Sequence, residues 1–294
     1  MIRYLSIILI LFQLMSCSGT DDEVGPYVAE QTDYYDGITY HRFYRYTGNL
    51  LGYATSSNGV TFEKYAGNPI MDDSLFPYLV VHEGNRYLIV QHRKGSTAYY
   101  LYNVNDPTYP RIVNEGRPIL EGGFFNVGVT VVGNRWHMLV EGKADDTFHL
   151  RYSWADFPDL NFNTNISAVV INDAGNPYIS YIPSRDALLA VYGEGYKRTG
   201  VWSVTASTAL ISSDMSLAAS WRASTFRIFK PGIHIADPDL GCGIERLPLI
   251  ITVGSAQNAV STYYFLGTNL NLYDAILAGP IQIEEDAKNP TMTW

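Results

Sequence analysis

Apolar and polar residues alternate along this chain in short runs, and no long stretch shows helical spacing. LGYATS at 51–56, PYLVV at 77–81 and RYLIVQH at 86–92 are such runs, as are VGVTVV at 127–132, RWHMLVEG at 135–142, YISYI at 178–182 and ALLAVYGEG at 187–195. Gly, Asn, Asp and Pro separate them. A period of two, broken by turn formers, is the pattern of strands, so the chain is predicted to be all-β. The stretch from Leu51 to Ile70 shows the unit most fully. Leu51, Tyr53 and Thr55 alternate with Gly52, Ala54 and Ser56; Ser57-Asn58-Gly59 makes a tight turn; Val60, Phe62 and Lys64 lead back to Gly67-Asn68-Pro69-Ile70. Asn and Gly suit that turn because they tolerate positive φ.

The units repeat. Pro26, Pro69, Pro118, Pro177, Pro231 and Pro280 each follow or adjoin a small or polar turn residue. They stand roughly 50 residues apart, about the length of a four-stranded propeller blade. Several units share an order: an extended stretch, a turn, then a strong aromatic or aliphatic strand. The turns are Asp36-Gly37, Glu83-Gly84-Asn85, Gly133-Asn134 and Ser184-Arg185-Asp186, with a less regular one between HIADPDL and LPLIITVG. Five units predict a five-bladed β-propeller over 26–294. The segment from Pro280 to Trp294 is too short for a blade and is expected to return to the first blade and close the ring.

The Leu51–Ile70 stretch resembles the outer half of a blade in the five-bladed β-propeller glycoside hydrolases (families 43, 32, 62, 68, 117 and 130). Many of these carry a strand, then ATS-DG-(V/I)-T-(W/F), then NP(I/V). Here Asn58 stands for the usual Asp and Phe62 for the usual Trp. The resemblance implies the propeller fold and a carbohydrate substrate. It requires no cofactor and admits a structural calcium in the central cavity, as some relatives hold.

Composition adds the setting. Residues 1–16 have a basic start at Arg3 and an apolar run too short to span a bilayer, as a signal peptide does. Leu14-Met15-Ser16-Cys17 fits a bacterial lipobox, which predicts lipidation at Cys17 and a polar, acidic tether over 17–25. The expected location is the cell envelope, anchored at the outer membrane or cell surface. Formal net charge is −9, which argues against nucleic acid as a partner. Only 17 % of residues are charged while 14 % are aromatic, with 23 Tyr, so charge on this chain is sparse and its placement informative. With Cys17 lipidated, Cys242 has no disulfide partner and the core must supply the stability.

In a propeller, the start of each innermost strand and the end of the second strand meet at one rim. The rim positions predicted to carry chemistry are Glu30, Asp33, Asp73, His92, Arg93, Glu141, Glu194, His234 and Asp237. Inverting glycosidases use a carboxylic acid and a carboxylate base about 6.5–9.5 Å apart; a third carboxylate can tune the acid. By resemblance to family 43, Asp33 is the base with Glu30 as competitor, Asp73 the modulator with Asp72 as competitor, and Glu141 the acid. The family's base usually sits in an Asp-Pro context on the first inner strand, whereas this chain has Asp237-Pro238-Asp239 in the fifth unit. Substrate binding is expected from Glu30, His92, Arg93, Glu194, His234 and Asp237. Each has a plainer reading: Asp72-Asp73 as a solvated turn, Glu141 as a partner of Arg135 or Lys143, Trp136 and Trp202 as core. His41, His137 and His149 show no metal-ligand spacing, so no metal site is predicted. Binding of a glycan without cleavage, and phosphorolysis with phosphate held by His92, Arg93 and Lys143, are the alternatives to hydrolysis.

Overall fold

The computed structural model describes residues 9–10, 31–45, 48–58, 62–95, 97–229, 235–239, 248–253, 260–265 and 281–282. They form five sheets, antiparallel but for one short parallel pair at the edge of the fourth. The first contains Gln31–Tyr35, Tyr40–Arg45, Leu51–Ser56 and Glu63–Lys64. The second runs Leu75–His82, Asn85–His92 and Ala98–Asn103, whose far edge takes Leu120–Glu121 and Arg111–Ile112. The third is Val127–Val132, Arg135–Ala144, Thr147–Asp156 and Val169–Asn172. The fourth is Ala174–Ile182, Ala187–Glu194, Ser203–Leu210 and Arg222–Phe229, and the fifth holds Ile235–Asp239, Pro248–Val253 and Val260–Phe265. The five innermost strands lie against one another in order, and the fifth returns to the first. The protein is a five-bladed β-propeller, as the repeat predicts.

Two edges depart from the sequence reading. Ile281–Gln282 pairs in parallel with Ile228–Phe229 on the fourth blade and does not return to the first. An exposed sheet edge accepts any extended segment that reaches it, and here the nearer edge won. Leu9–Ile10, inside the predicted signal peptide, pairs with Tyr263–Tyr264 on the fifth blade, for the same reason.

Three inner strands share a local break. Register shifts fall between Leu75 and Tyr78, Gly175 and Tyr178, and Ala236 and Asp239. Each brackets an X-Pro pair: Phe76-Pro77, Asn176-Pro177 and Asp237-Pro238. Proline offers no N–H to the ladder, so pairing lapses and a bulge forms. Phe76 and Asn176 both sit at φ 50. The bulges lie at the strand starts, which is the hub end of one rim.

Between blades the contact is by side chains and close backbones. At Gly128 an added Cβ would stand 2.6 Å from the Pro177 carbonyl oxygen, so only glycine lets the third and fourth inner strands approach this closely. Trp136 is 0 % exposed and stacks on Phe157 at 5.8 Å beneath the junction of the second and third blades. Phe162 fills the same junction, with its N–H donating to the Ile119 carbonyl. Phe162→Ala is expected to cost about 3–5 kcal/mol in a urea melt through the cavity it leaves.

His137, buried in the third blade, is hydrogen-bonded through Nδ1 to Tyr152 Oη at 2.6 Å. Burial, then the Arg135 charge, push its pKa down to about 4, with Asp156 opposing. The unfolded chain therefore binds a proton that the fold refuses between about pH 6.5 and 4. Stability is full above that window and falls as pH drops through it, by on the order of 3 kcal/mol. Denaturant titrations at pH 7 and pH 4 are expected to show this loss in the wild type and a smaller one in His137→Gln.

Candidate active site

The hub ends of the inner strands surround a small cavity of ≈ 50 Å³. Every blade contributes: Gln31 and Thr32, Phe76 to Tyr78, Asn126 and Val127, Asn176 to Tyr178, and Pro238. Its walls are amide and hydroxyl groups set among prolines and aromatic rings. Both polar atoms of the Gln31 side-chain amide are buried without a hydrogen-bond partner among the described residues, and a site with room for about one or two waters can satisfy such groups. Thr32 Oγ1 accepts the Leu79 N–H at 3.2 Å, and Tyr78 Oη reaches the Ile179 carbonyl across the hub at 3.4 Å.

Glu141 ends the apolar run of the second strand in the third blade and is 3 % exposed. It binds neither Arg135, which pairs with Asp156, nor Lys143, which pairs with Asp146. Its Oε2 accepts the Asn176 backbone N–H at 2.6 Å and the Asn126 Nδ2 at 3.1 Å, and Asn126 Nδ2 also donates to Asn176 Oδ1. An added Cβ on Gly175 would stand 3.0 Å from this carboxylate, so the glycine makes room for it. Glu141 thus fixes two asparagines that line the cavity while not lining it itself.

Asp33 is oriented differently. Both oxygens receive bonds from Arg42, at 2.8 and 2.7 Å, and the guanidinium lies 3.8 Å from the centre of the Phe62 ring. The pair is buried in the first blade, and Asp33 is not among the cavity-lining residues. Asp73 closes the loop after the second blade's hairpin: its Oδ2 accepts the Arg93 and Lys94 N–H groups at 2.9 and 2.7 Å. His92 Nδ1 is 3.8 Å from the same oxygen and its Nε2 is 2.9 Å from Tyr102 Oη. Burial lowers the His92 pKa, with Asp73 opposing. Asp72 is exposed. Arg93 Nε donates to Gln91 Oε1 at 2.8 Å, and its guanidinium faces the Phe76 ring at 5.7 Å. Glu194 is bound by Arg227 of the same blade.

Glu30, His234 and Cys17 lie outside the described residues; Asp237 is described in its backbone, one position before cavity-lining Pro238. Among the described residues no group of three acidic, His or Cys side chains could hold a metal ion, and no helix is long and apolar enough to cross a membrane.

One feature of the rim escapes a search for charge. Phe125, Phe148, Tyr196 and Trp202 form a chain of ring contacts at 5.1–6.1 Å around the third and fourth blades. Tyr196 is 39 % exposed, whereas Trp202 is buried beside Glu141 and Gly193, in keeping with its reading as core. Three inner strands carry an X-Pro pair at their start, and Phe125 precedes a fourth.

No family model matches the chain, and no curated protein matches it. Solved structures do. An endo-1,4-beta-xylanase from Bacteroides thetaiotaomicron superposes with a TM-score of 0.63 at 11% identity, covering 91% of this chain and 95% of that one. An endo-arabinase from the same organism gives 0.62 at 9% identity, over 83% and 95%. The catalytic domain of a Coprinopsis cinerea GH62 alpha-L-arabinofuranosidase gives 0.60 at 15% identity, over 88% and 97%. At such identities the shared property is the fold.

Breaking a buried ion pair leaves a charge without its partner. Asp33→Ala is expected to lower stability by about 3–5 kcal/mol, and Asp33→Leu with Arg42→Met to recover most of that, as read from paired denaturation curves.

Proposed function

We propose that this propeller is a glycoside hydrolase that cleaves a pentose-containing polysaccharide, with inversion. The observation that carries the reading is the convergence of five strand starts on one polar, aromatic-flanked rim. The whole-length likeness to proteins described as a xylanase, an endo-arabinase and an arabinofuranosidase supports it. A sugar ring needs such a surface: apolar faces for its C–H groups and amides for its hydroxyls.

The acid–base pair in this proposal is Glu30 with Asp237, each next to a cavity-lining residue, Gln31 and Pro238. Glu141 is a positioning residue that acts through Asn126 and Asn176. Asp33, the first expectation for the base, is taken by Arg42 and holds the first blade. Asp73 orders the Arg93–Lys94 turn, leaving His92 and Arg93 beside the rim as substrate contacts. A general acid raises the rate about 10²–10⁴-fold. Glu30→Gln and Asp237→Asn are therefore expected to lower sugar release from arabinan, arabinoxylan or xylan by that factor, and Asp33→Asn to do so only as far as it unfolds the protein. Release that survives both rim variants sinks the pair.

A second reading has its own observation. Among the described side chains lining the hub there is no carboxylate; the polar groups are the amides of Gln31, Asn126 and Asn176 and the hydroxyls of Thr32, Tyr78 and Tyr178. Such a rim binds a glycan without cleaving it. Retained binding with no release from any of the three polymers moves the function there.

Export and lipidation at Cys17 complete the proposal, placing the propeller on the cell envelope by its acidic tether. Cys17→Ala in the full chain is expected to move the protein from the membrane fraction to the soluble one on cell fractionation.

A further inference from the structure

The strand ends opposite the rim carry a second cavity. It measures ≈ 690 Å³ and lies between the outer parts of the third and fourth blades. Its walls come from the 132–135 turn, the ends of the strands bearing His137 and Trp154, Asn165, and the 211–216 loop. Its volume falls within the range of small-molecule sites, roughly 300–1,000 Å³.

Its polar groups are set in place by neighbours. Arg135 donates to Asp156 through Nε and an Nη at 2.9 and 3.1 Å, and the guanidinium lies 3.8 Å from the centre of the Trp154 ring system. Asn165 Nδ2 donates to the Trp154 carbonyl at 3.0 Å, and Asn134 Nδ2 to the Phe157 carbonyl at 2.7 Å. Each amide thus spends a donor on the fold, while its carbonyl oxygen makes no bond with a described residue. His137 is 4 % exposed and lines the cavity; Tyr152 takes its Nδ1, and no described residue takes its Nε2. A buried imidazole with one nitrogen left to a cavity is a ready hydrogen-bonding group. The Trp154 indole N–H is likewise unclaimed by any described residue.

The chemistry selects the ligand. Asp156 and Asp214 stand on the wall with Arg135, whose charge Asp156 already offsets, so an anion is opposed. The low pKa of His137 keeps the ring neutral near pH 7, so it neither attracts an anion nor repels a cation. Asp214 accepts the Ser216 N–H and Oγ, at 3.0 and 2.6 Å, which leaves it a fixed acceptor. Neutral or compensated acceptors and donors around a Trp, with Val132, Ile211 and Met215 as apolar floor, suit a neutral polyhydroxylated ring.

We propose that this cavity, on the face opposite the rim, is a second saccharide-binding site for neutral sugar units, bounded by Trp154, His137, Asn134, Asn165 and the Arg135–Asp156 pair. It does not depend on the rim being catalytic. A polymer held there would keep the protein on its glycan whether or not the rim cleaves.

The test uses the full chain, kept dispersed in mild detergent, with xylohexaose, arabinohexaose and cellohexaose as probes. Binding is followed by calorimetry and by mobility in gels containing the parent polysaccharides. Trp154→Ala removes the platform and Ser213→Trp fills the cavity from its edge; the second keeps the test valid if the first unfolds. Asp237→Asn reports on the rim alone. The expected result is binding that weakens at least tenfold in Trp154→Ala and Ser213→Trp and persists in Asp237→Asn. Binding unchanged in folded Trp154→Ala and Ser213→Trp overturns the proposal, as does no binding of any probe by the wild type at millimolar sugar. Sugar release lost in Asp237→Asn while gel retention persists separates the two sites; retention lost only in the rim variant assigns all binding to the rim.

Discussion

Everything in this propeller depends on how neighbouring blades meet at the hub, because among the described residues no hydrogen-bonded ladder joins one inner strand to the next. The junctions are made by close packing and a few side-chain bonds. Gly128 admits the Pro177 carbonyl, Thr32 takes the Leu79 N–H, and Glu141 takes the Asn176 N–H. Each of these serves two blades at once. A buried polar group must be matched, and matching it across a junction also fixes the relative placement of the two sheets.

The same requirement governs the sparse charges. Asp33 with Arg42, Arg135 with Asp156 and Glu194 with Arg227 pair within single blades. Glu141 binds Asn126 of its own blade and Asn176 of the next, the two asparagines that face the hub. The bulges at Phe76-Pro77, Asn176-Pro177 and Asp237-Pro238 turn backbone away from the ladder at the point where a ligand would enter.

The two faces use one architectural rule for different ends. At the rim, strand starts from all five blades converge on a narrow hub. On the opposite face the third and fourth blades enclose a cavity walled by Trp154, His137 and the 211–216 loop.

The strands and their order were legible in the sequence because strand formation is a local matter. A period of two and the turn formers at Asp36-Gly37, Glu83-Gly84, Gly133-Asn134 and Ser184 to Asp186 mark the first hairpin of each of the first four blades, and the observed strands fall there. The X-Pro pairs were visible too, though their meaning as hub bulges needed the register. What the sequence left open was partnership. Nothing local says that Glu141 passes over Arg135 and Lys143 for Asn126 and Asn176, or that Ile281–Gln282 joins the fourth blade. Such choices are made between residues tens of positions apart, by which groups the closed ring brings within hydrogen-bonding reach. Alternation therefore determined the fold, and only ring closure decided that Glu141 binds the two asparagines that face the hub.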